Sequence, residues 1–200
     1  MFRGDIARTL LIMTQDAPSA FLEAVAALRS SRVRAEITLS EAPSPARLAP
    51  HSLALNADLS LDQEEDVATG RFVLLHDPQG QQAWAGTFRI VSFIKADVDA
   101  EMTSDPLLTV VGWTWLLDAL ADHGVEHTMA SGTVTRVASE SFGELSDRGS
   151  AAEIEIRASW TPIGPISGHF EAWCDLLATT AGLPPLPADV ATIAPRHQRF

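Results

Sequence analysis

Apolar and polar residues alternate with a period of two along several segments, which predicts β-strands with one apolar face. The clearest is 151–161, where every second residue from Ala152 to Trp160 is apolar and the residues between are Glu, Arg, Ser or Thr. Segments 33–40 and 53–62 show the same alternation. Each of these strands should therefore place one face on a core and the other in water.

Two further segments hold apolar residues on both faces, which is typical of central strands covered on both sides. These are Arg71–Leu75, continuously apolar after its arginine, and Phe88–Ile94, with Ser92 as the exception. Between them Asp77-Pro78-Gln79-Gly80 has the residues that a type I turn prefers. The two segments are thus predicted to form a β-hairpin that turns at 77–80. Another strand is predicted over 132–141, before the strand at 151–161.

A helical period of apolar residues predicts three helices. The first covers 19–31, the second begins at Asp105-Pro106 and ends at Gly124, and the third runs over 166–181. The second helix is apolar around nearly its whole circumference, so it should be central or covered by a partner.

The predicted order is α-β-β-β-β-α-β-β-α. It indicates an α+β fold, with a largely antiparallel sheet of about six strands and three helices on one face. We expect residues 1–18 to form an N-terminal extension, 19–187 a single domain and 188–200 a flexible tail.

The formal charge of −12, from 14 basic and 26 acidic residues, disfavours direct nucleic-acid binding, which depends on clustered Lys and Arg. No uncharged apolar run approaches the roughly 20 residues of a membrane span, so no membrane partner is expected. The one cysteine, Cys174, cannot form an intramolecular disulfide and is interpreted as a buried structural thiol. A cytoplasmic location is the resulting expectation.

Familiar catalytic, cofactor and metal signatures are missing from the sequence, so we predict no catalytic residue, cofactor or metal ligand. One weak ligand site combines Arg71, His76 and Arg89 beside Trp84, because arginine holds anions and histidine serves as a general base. The simpler interpretation is that Asp77 forms the turn and His76 only ends a strand.

Trp113 and Trp115 lie two positions apart on the second predicted helix, so their side chains should point about 200° away from each other. An exposed tryptophan would mark a partner surface, since tryptophan is enriched in interface hot spots. Burial of both against the core is the alternative.

Several long motifs resemble an uncharacterised actinobacterial family of unknown function, number 3000 in the domain-of-unknown-function series. The resemblance covers about residues 21–187 and implies no established activity. The motifs that carry it are Thr69–Pro78 with Ala83-Trp84 and Gly86–Arg89, Val111–Leu116, Ala130–Arg136, Ser139–Gly143, Glu155–Pro162, Ala172–Leu177 and Gly182–Pro187.

The order of elements is also similar to that of the small acidic, dimeric chaperones of bacterial secretion systems, a likeness of topology alone. Together with the apolar second helix, it favours a noncatalytic, soluble protein-binding or chaperone-like module that forms a homodimer and binds another protein. The alternative function is a small-molecule-binding protein or enzyme with a site around Arg71, His76 and Arg89.

Overall fold

The computed structural model describes residues 17–45, 47–61 and 66–185. Within these residues the strands are β1 (Ile37–Ala42), β2 (His51–Ser60), β3 (Asp66–Gln81), β4 (Gly86–Asp97), β5 (Glu126–Glu140) and β6 (Ser150–Ile163). The α-helices are α1 (Ser19–Ser30), α2 (Ala100–Ser104), α3 (Leu108–Asp122) and α4 (Ile166–Thr180), and a 3₁₀ helix covers Gly143–Arg148. Most of the predicted extension 1–18 and all of the predicted tail 188–200 lie outside the described residues, so the division into domains stays a prediction.

The six strands form one antiparallel sheet in the order β1-β2-β3-β4-β6-β5. This confirms the predicted α+β class and the sheet of about six strands. The described residues contain four α-helices instead of three, because the short helix α2 precedes α3. Its five residues are too few to show a helical period in the sequence.

The three long helices share one face of the sheet, and α4 lies at its centre. Phe170 contacts Phe72 edge to face, with ring centroids 5.2 Å apart, and Trp173 contacts both rings. Cys174 is buried beside them, as expected, and burial raises the pKa of its thiol. The main core therefore lies between α4 and the middle strands.

The opposite face of the sheet, which we call the open face, is covered by described residues at one end only. A small apolar cluster lies there, made of Ala42, Ala54, Val73, Leu75 and Trp84. The expectation that both central strands are covered on both sides holds only at this end; elsewhere the open face carries polar and charged side chains around the half-buried Val91 and Phe93.

The β3–β4 hairpin is confirmed, but the predicted position of its turn is wrong. The Asp77 carboxylate accepts a hydrogen bond from the Gln79 N–H at 3.0 Å, as turn residues do. Strand β3 nevertheless continues to Gln81, and the chain reverses over 82–85 with Ala85 at φ 53°. A local side-chain bond at Asp77 therefore does not reverse the chain there.

The predicted strand at 33–40 begins only at Ile37, because Arg34 is held in a turn. The Ile37 N–H bonds to the Arg34 carbonyl, and the buried Arg34 guanidinium donates to the Pro184 carbonyl at 2.9 Å. The alternation of apolar and polar residues before Ile37 therefore belongs to a turn. This turn is bonded to the segment after α4.

Helix α3 begins later than predicted and, within the described part of the chain, is covered on one side only. The Asp105 carboxylate accepts from the Leu107 N–H at 2.8 Å, and the helix ends before Gly124, which has φ +62°. Val110 is 60% exposed and Val111 39%. The buried stripe consists of Leu108, Gly112, Leu116 and Leu120.

Two buried histidines are neutral parts of the core. The Trp160 indole N–H donates to His169 Nδ1 at 3.2 Å, which leaves the proton of the neutral ring on Nε2, 3.3 Å from the Ile163 carbonyl. The His76 ring stacks on Phe88, with centroids 4.1 Å apart. Burial lowers the pKa of both histidines.

We expect acid to destabilise the fold through His76 and His169. In the unfolded chain a histidine has its ordinary pKa of about 6.5. In the folded protein the pKa of each buried ring is lower. Below about pH 6.5 the unfolded state binds more protons, so the free energy of unfolding falls as the pH falls; above it these groups contribute no pH dependence. Urea unfolding followed by tryptophan fluorescence at a series of pH values measures this.

The variant His169→Gln isolates one of the two contributions. Glutamine retains an acceptor for Trp160 but takes up no proton, so the variant should lose less stability on acidification than the wild type. Identical pH dependence in the two proteins would contradict the assignment.

Candidate functional site

A recess of about 600 Å³ lies on the open face, and we call it the arginine recess. Four strands contribute to it, from β3 across β4 and β6 to β5. Its lining consists of Arg71, Val73, Val91, Ser92, Phe93, Ser131, Gly132, Thr133, Arg157, Ala158 and Ser159.

Strand register places two arginines on either side of one aromatic ring. Arg71 is paired with Phe93, and Phe93 with Arg157, on three neighbouring strands. The Arg157 guanidinium carbon lies 5.0 Å from the centroid of the Phe93 ring, and Nη1 of Arg157 lies 2.7 Å from the Glu155 carboxylate. The Arg71 guanidinium instead donates to the Pro43 carbonyl at 2.6 Å.

Arg89 lies next to the recess and is buried, with only 8% of the residue exposed. Its guanidinium donates to the Met129 carbonyl at 3.0 Å and to the hydroxyls of Thr161 at 3.1 Å, Ser159 at 2.6 Å and Ser131 at 3.4 Å. Burial lowers the pKa of this guanidinium, but arginine remains charged in proteins. Among the described residues no carboxylate forms an ion pair with it.

The Arg89 guanidinium donates to the hydroxyl oxygens of two serines, whose hydroxyl hydrogens can then be donated to other groups. Ser131 and Ser159 both line the recess and both accept from the guanidinium through their hydroxyl oxygens. The two oxygens lie 3.4 Å apart, so one hydroxyl can donate to the other. At least one hydroxyl hydrogen then remains for a ligand, and the recess can offer donors from serine as well as from arginine.

The structure places three of the four residues of the predicted ligand site, Arg71, Arg89 and Trp84, on the open face. Arg89 and Trp84 are linked through the Thr161 hydroxyl, which accepts from Arg89 and donates to the Trp84 carbonyl. Arg71 lies four residues along β3 from Leu75, the strand partner of Arg89, and among the described residues no hydrogen bond links it to the other two. His76 lies on the helix-covered face, where its ring contacts Phe88 and Phe21. Because successive side chains of a strand point to opposite faces, positions 71 and 76 fall on different faces.

Trp113 and Trp115, the predicted partner surface, are both partly buried and pack against the main core. The exposed apolar residues of this region lie beside them. Leu107 and Val110 are each 60% exposed.

Sequence reasoning missed the β5 and β6 residues of the recess, namely Ser131, Thr133, Arg157 and Ser159. The alternation over 151–161 already placed Arg157 and Ser159 on a polar face. The missing information was that β6 pairs with β4, which brings that face next to Arg71 and Arg89.

Within the described part of the chain, no group of three or more His, Cys, Asp or Glu side chains is arranged to hold a metal ion. None of the helices described is long and apolar enough to cross a bilayer.

Residues 17–191 match the model of a family described as protein of unknown function, DUF3000. The chain belongs to this family. The match confirms the family resemblance of the sequence motifs and covers every residue of the arginine recess. A comparison with curated proteins finds no match, and neither does a comparison with solved structures.

We expect substitution of Arg89 to lower the free energy of unfolding more than substitution of Arg71. Arg89→Met leaves the Met129 carbonyl and three hydroxyls without their donor, so the free energy of unfolding should fall by about 1–3 kcal/mol. Arg71→Met removes one hydrogen bond at the surface and should cost less than about 1 kcal/mol. Urea unfolding measures both changes.

Hydrogen exchange then locates the effect of the Arg89 substitution. Exchange should accelerate at 128–131, where β5 has an irregular register against β6, and remain unchanged in α4. Equal stability of the two variants would show that Arg89 does not hold β5.

Proposed function

We propose that this protein is a noncatalytic binding module that holds an anionic ligand in the arginine recess. The observation that carries the proposal is the buried guanidinium of Arg89, which forms no ion pair with a carboxylate of the described residues, beside a recess lined by Arg71 and Arg157. The proposal develops the small-molecule alternative of the sequence analysis, with His76 removed from the site.

The chemistry of the lining supports binding rather than catalysis. The residues that line the recess offer guanidinium and hydroxyl donors but no carboxylate, imidazole or thiol. A serine or threonine hydroxyl needs an adjacent general base to become a nucleophile. The buried Cys174 thiol, whose pKa is raised, lies on the other side of the sheet.

The charge distribution supports a small ligand rather than a nucleic acid. The chain carries a formal charge of −12, so its overall field repels a polyanion. Positive charge on the open face is concentrated at the recess. A small anion in direct contact with these arginines is therefore attracted, although the chain as a whole is acidic. The single cysteine and the lack of a sequence segment that would span a membrane favour a cytoplasmic location for this activity.

Titration with benzoate and with its neutral analogue benzamide tests the proposal. Benzoate should shift the backbone amide resonances of Ser131, Thr133 and Ser159, because its carboxylate accepts from the arginines, and benzamide should not. Two-dimensional NMR of the labelled protein measures these shifts.

The double variant Arg71→Met/Arg157→Met should lose the benzoate response. Its matched control is Lys95→Met, which removes a positive charge from the same face outside the recess. An equal loss in both variants would show that the benzoate response depends on the overall charge of this face and not on the recess. Failure of benzoate and of phenyl phosphate to shift these amides would refute the proposed function.

A second candidate function, binding of a second copy of the chain, is favoured by the free edge of β5. This strand has 15 residues, most of them exposed, and among the described strands only β6 pairs with it. An edge strand presents unpaired N–H and C=O groups that a further strand can bond.

The sequence of β5 contains few of the devices that block edge pairing. Arg136 is the one basic residue between Met129 and Glu140, and its guanidinium is engaged by the carbonyls of Thr103 and Asp105. The rest of this stretch is Ser, Gly, Thr, Val and Ala. From this we infer a twofold dimer through β5, in line with the dimer expected from the sequence.

Sedimentation velocity at micromolar concentration should show the dimer, and Thr135→Lys should weaken it at least tenfold, because a lysine within an edge strand opposes pairing with a further strand. Thr38→Lys on the other edge strand, β1, is the matched control, since it is also an exposed threonine of the open face. A wild-type monomer, or equal weakening by both variants, would contradict pairing through β5.

A further inference from the structure

The charges around the arginine recess do not balance. Arg71, Arg89 and Arg157 contribute three positive charges, and the Glu155 carboxylate, paired with Arg157, cancels one. Lys95, Glu153 and Asp97 lie farther along the same face and outside the lining; Lys95 is paired with Glu153 at 2.7 Å, and Asp97 adds one negative charge there. The three arginines and Glu155, the carboxylate bonded to the lining, therefore leave two positive charges at the recess for a ligand to neutralise.

We propose that the arginine recess binds a small organic phosphate monoester in its dianionic form. This inference rests on the proposed function and specifies its ligand class. A phosphate monoester carries close to two negative charges at neutral pH, since its second pKa is about 6. A carboxylate or sulfate ester carries one, and would leave one arginine without a counter-charge.

The positions of the donors also fit a tetrahedral group. Arg71 and Arg157 stand on strands two places apart, roughly 10 Å from each other by the usual strand spacing, so a ligand above Phe93 lies between these two residues. To reach it, the Arg71 guanidinium turns away from the Pro43 carbonyl, its acceptor in the structure. The hydroxyls of Ser131, Ser159 and Thr133 lie on the β5–β6 side. A phosphate monoester has three terminal oxygens to accept from these separate directions, whereas a planar carboxylate has two.

The size and floor of the recess indicate an organic group besides the phosphate. Sites of roughly 300–1,000 Å³ hold ligands of drug or cofactor size, and the recess measures about 600 Å³. Val73, Val91 and Phe93 form an apolar floor between the arginines. A carbon skeleton can cover this floor while the phosphate contacts Arg71 and Arg157.

Phenyl phosphate and phenyl sulfate test the inference, because they share size and tetrahedral shape and differ by one charge at about pH 7.5. Isothermal titration calorimetry of the full chain should show phenyl phosphate binding at least tenfold more tightly than phenyl sulfate or benzoate. If the affinities for the three compounds lie within about threefold of one another, the preference for a dianion is wrong, but the proposed function still stands. Binding of none would end both.

Thr133→Val tests the position of the phosphate. The substitution keeps the shape of the side chain and removes one hydroxyl that lines the recess, so phenyl phosphate should bind about three- to tenfold more weakly. Thr69→Val is the matched control, on the open face two residues from Arg71 along β3, outside the lining and away from the β5 edge. An equal effect of the two substitutions would place the ligand elsewhere.

Discussion

The architecture depends on the packing of one indole against a glycine in the middle of the sheet. A Cβ atom at Gly70 would lie 2.7 Å from the Trp173 ring, so only glycine lets α4 approach β3 this closely. The Phe72–Phe170 contact continues the same interface. Helices α1 and α3 then pack against α4, and all three long helices occupy one face. The other face has to be stabilised by its own side chains.

Arg89 shows how the open face meets that requirement. Its guanidinium bonds to groups on β5 and β6, and it is charged without a carboxylate among the described residues. Desolvating a cation costs free energy that hydrogen bonds to neutral oxygens offset only in part. An anion in the recess would offset the remainder. The same arginine therefore stabilises the sheet and creates the local positive potential of an acidic protein.

The local elements could be predicted from the sequence, whereas the recess could not. Periodicity placed α1, α4 and β6 within about two residues of their observed bounds, because each pattern lies within one segment. The recess depends on pairing between distant strands and on hairpin register. A turn at 77–80 would pair Arg89 with Ala68; the observed register pairs it with Leu75, on the face of Arg71. A shift of register by an odd number of residues reverses which face a side chain occupies.

The two candidate functions are linked physically because both use β5. This strand contributes Ser131 and Thr133 to the recess, and its irregular register against β6, between Thr128 and Ser131, is held by the bond from Arg89 to the Met129 carbonyl. A ligand that contacts the serine hydroxyls orders the same backbone whose outer edge a second copy would bond. Ordering a strand before it pairs removes part of the entropic cost of pairing. By reciprocity, a dimer would then bind the anion more tightly than a monomer, and by the same factor.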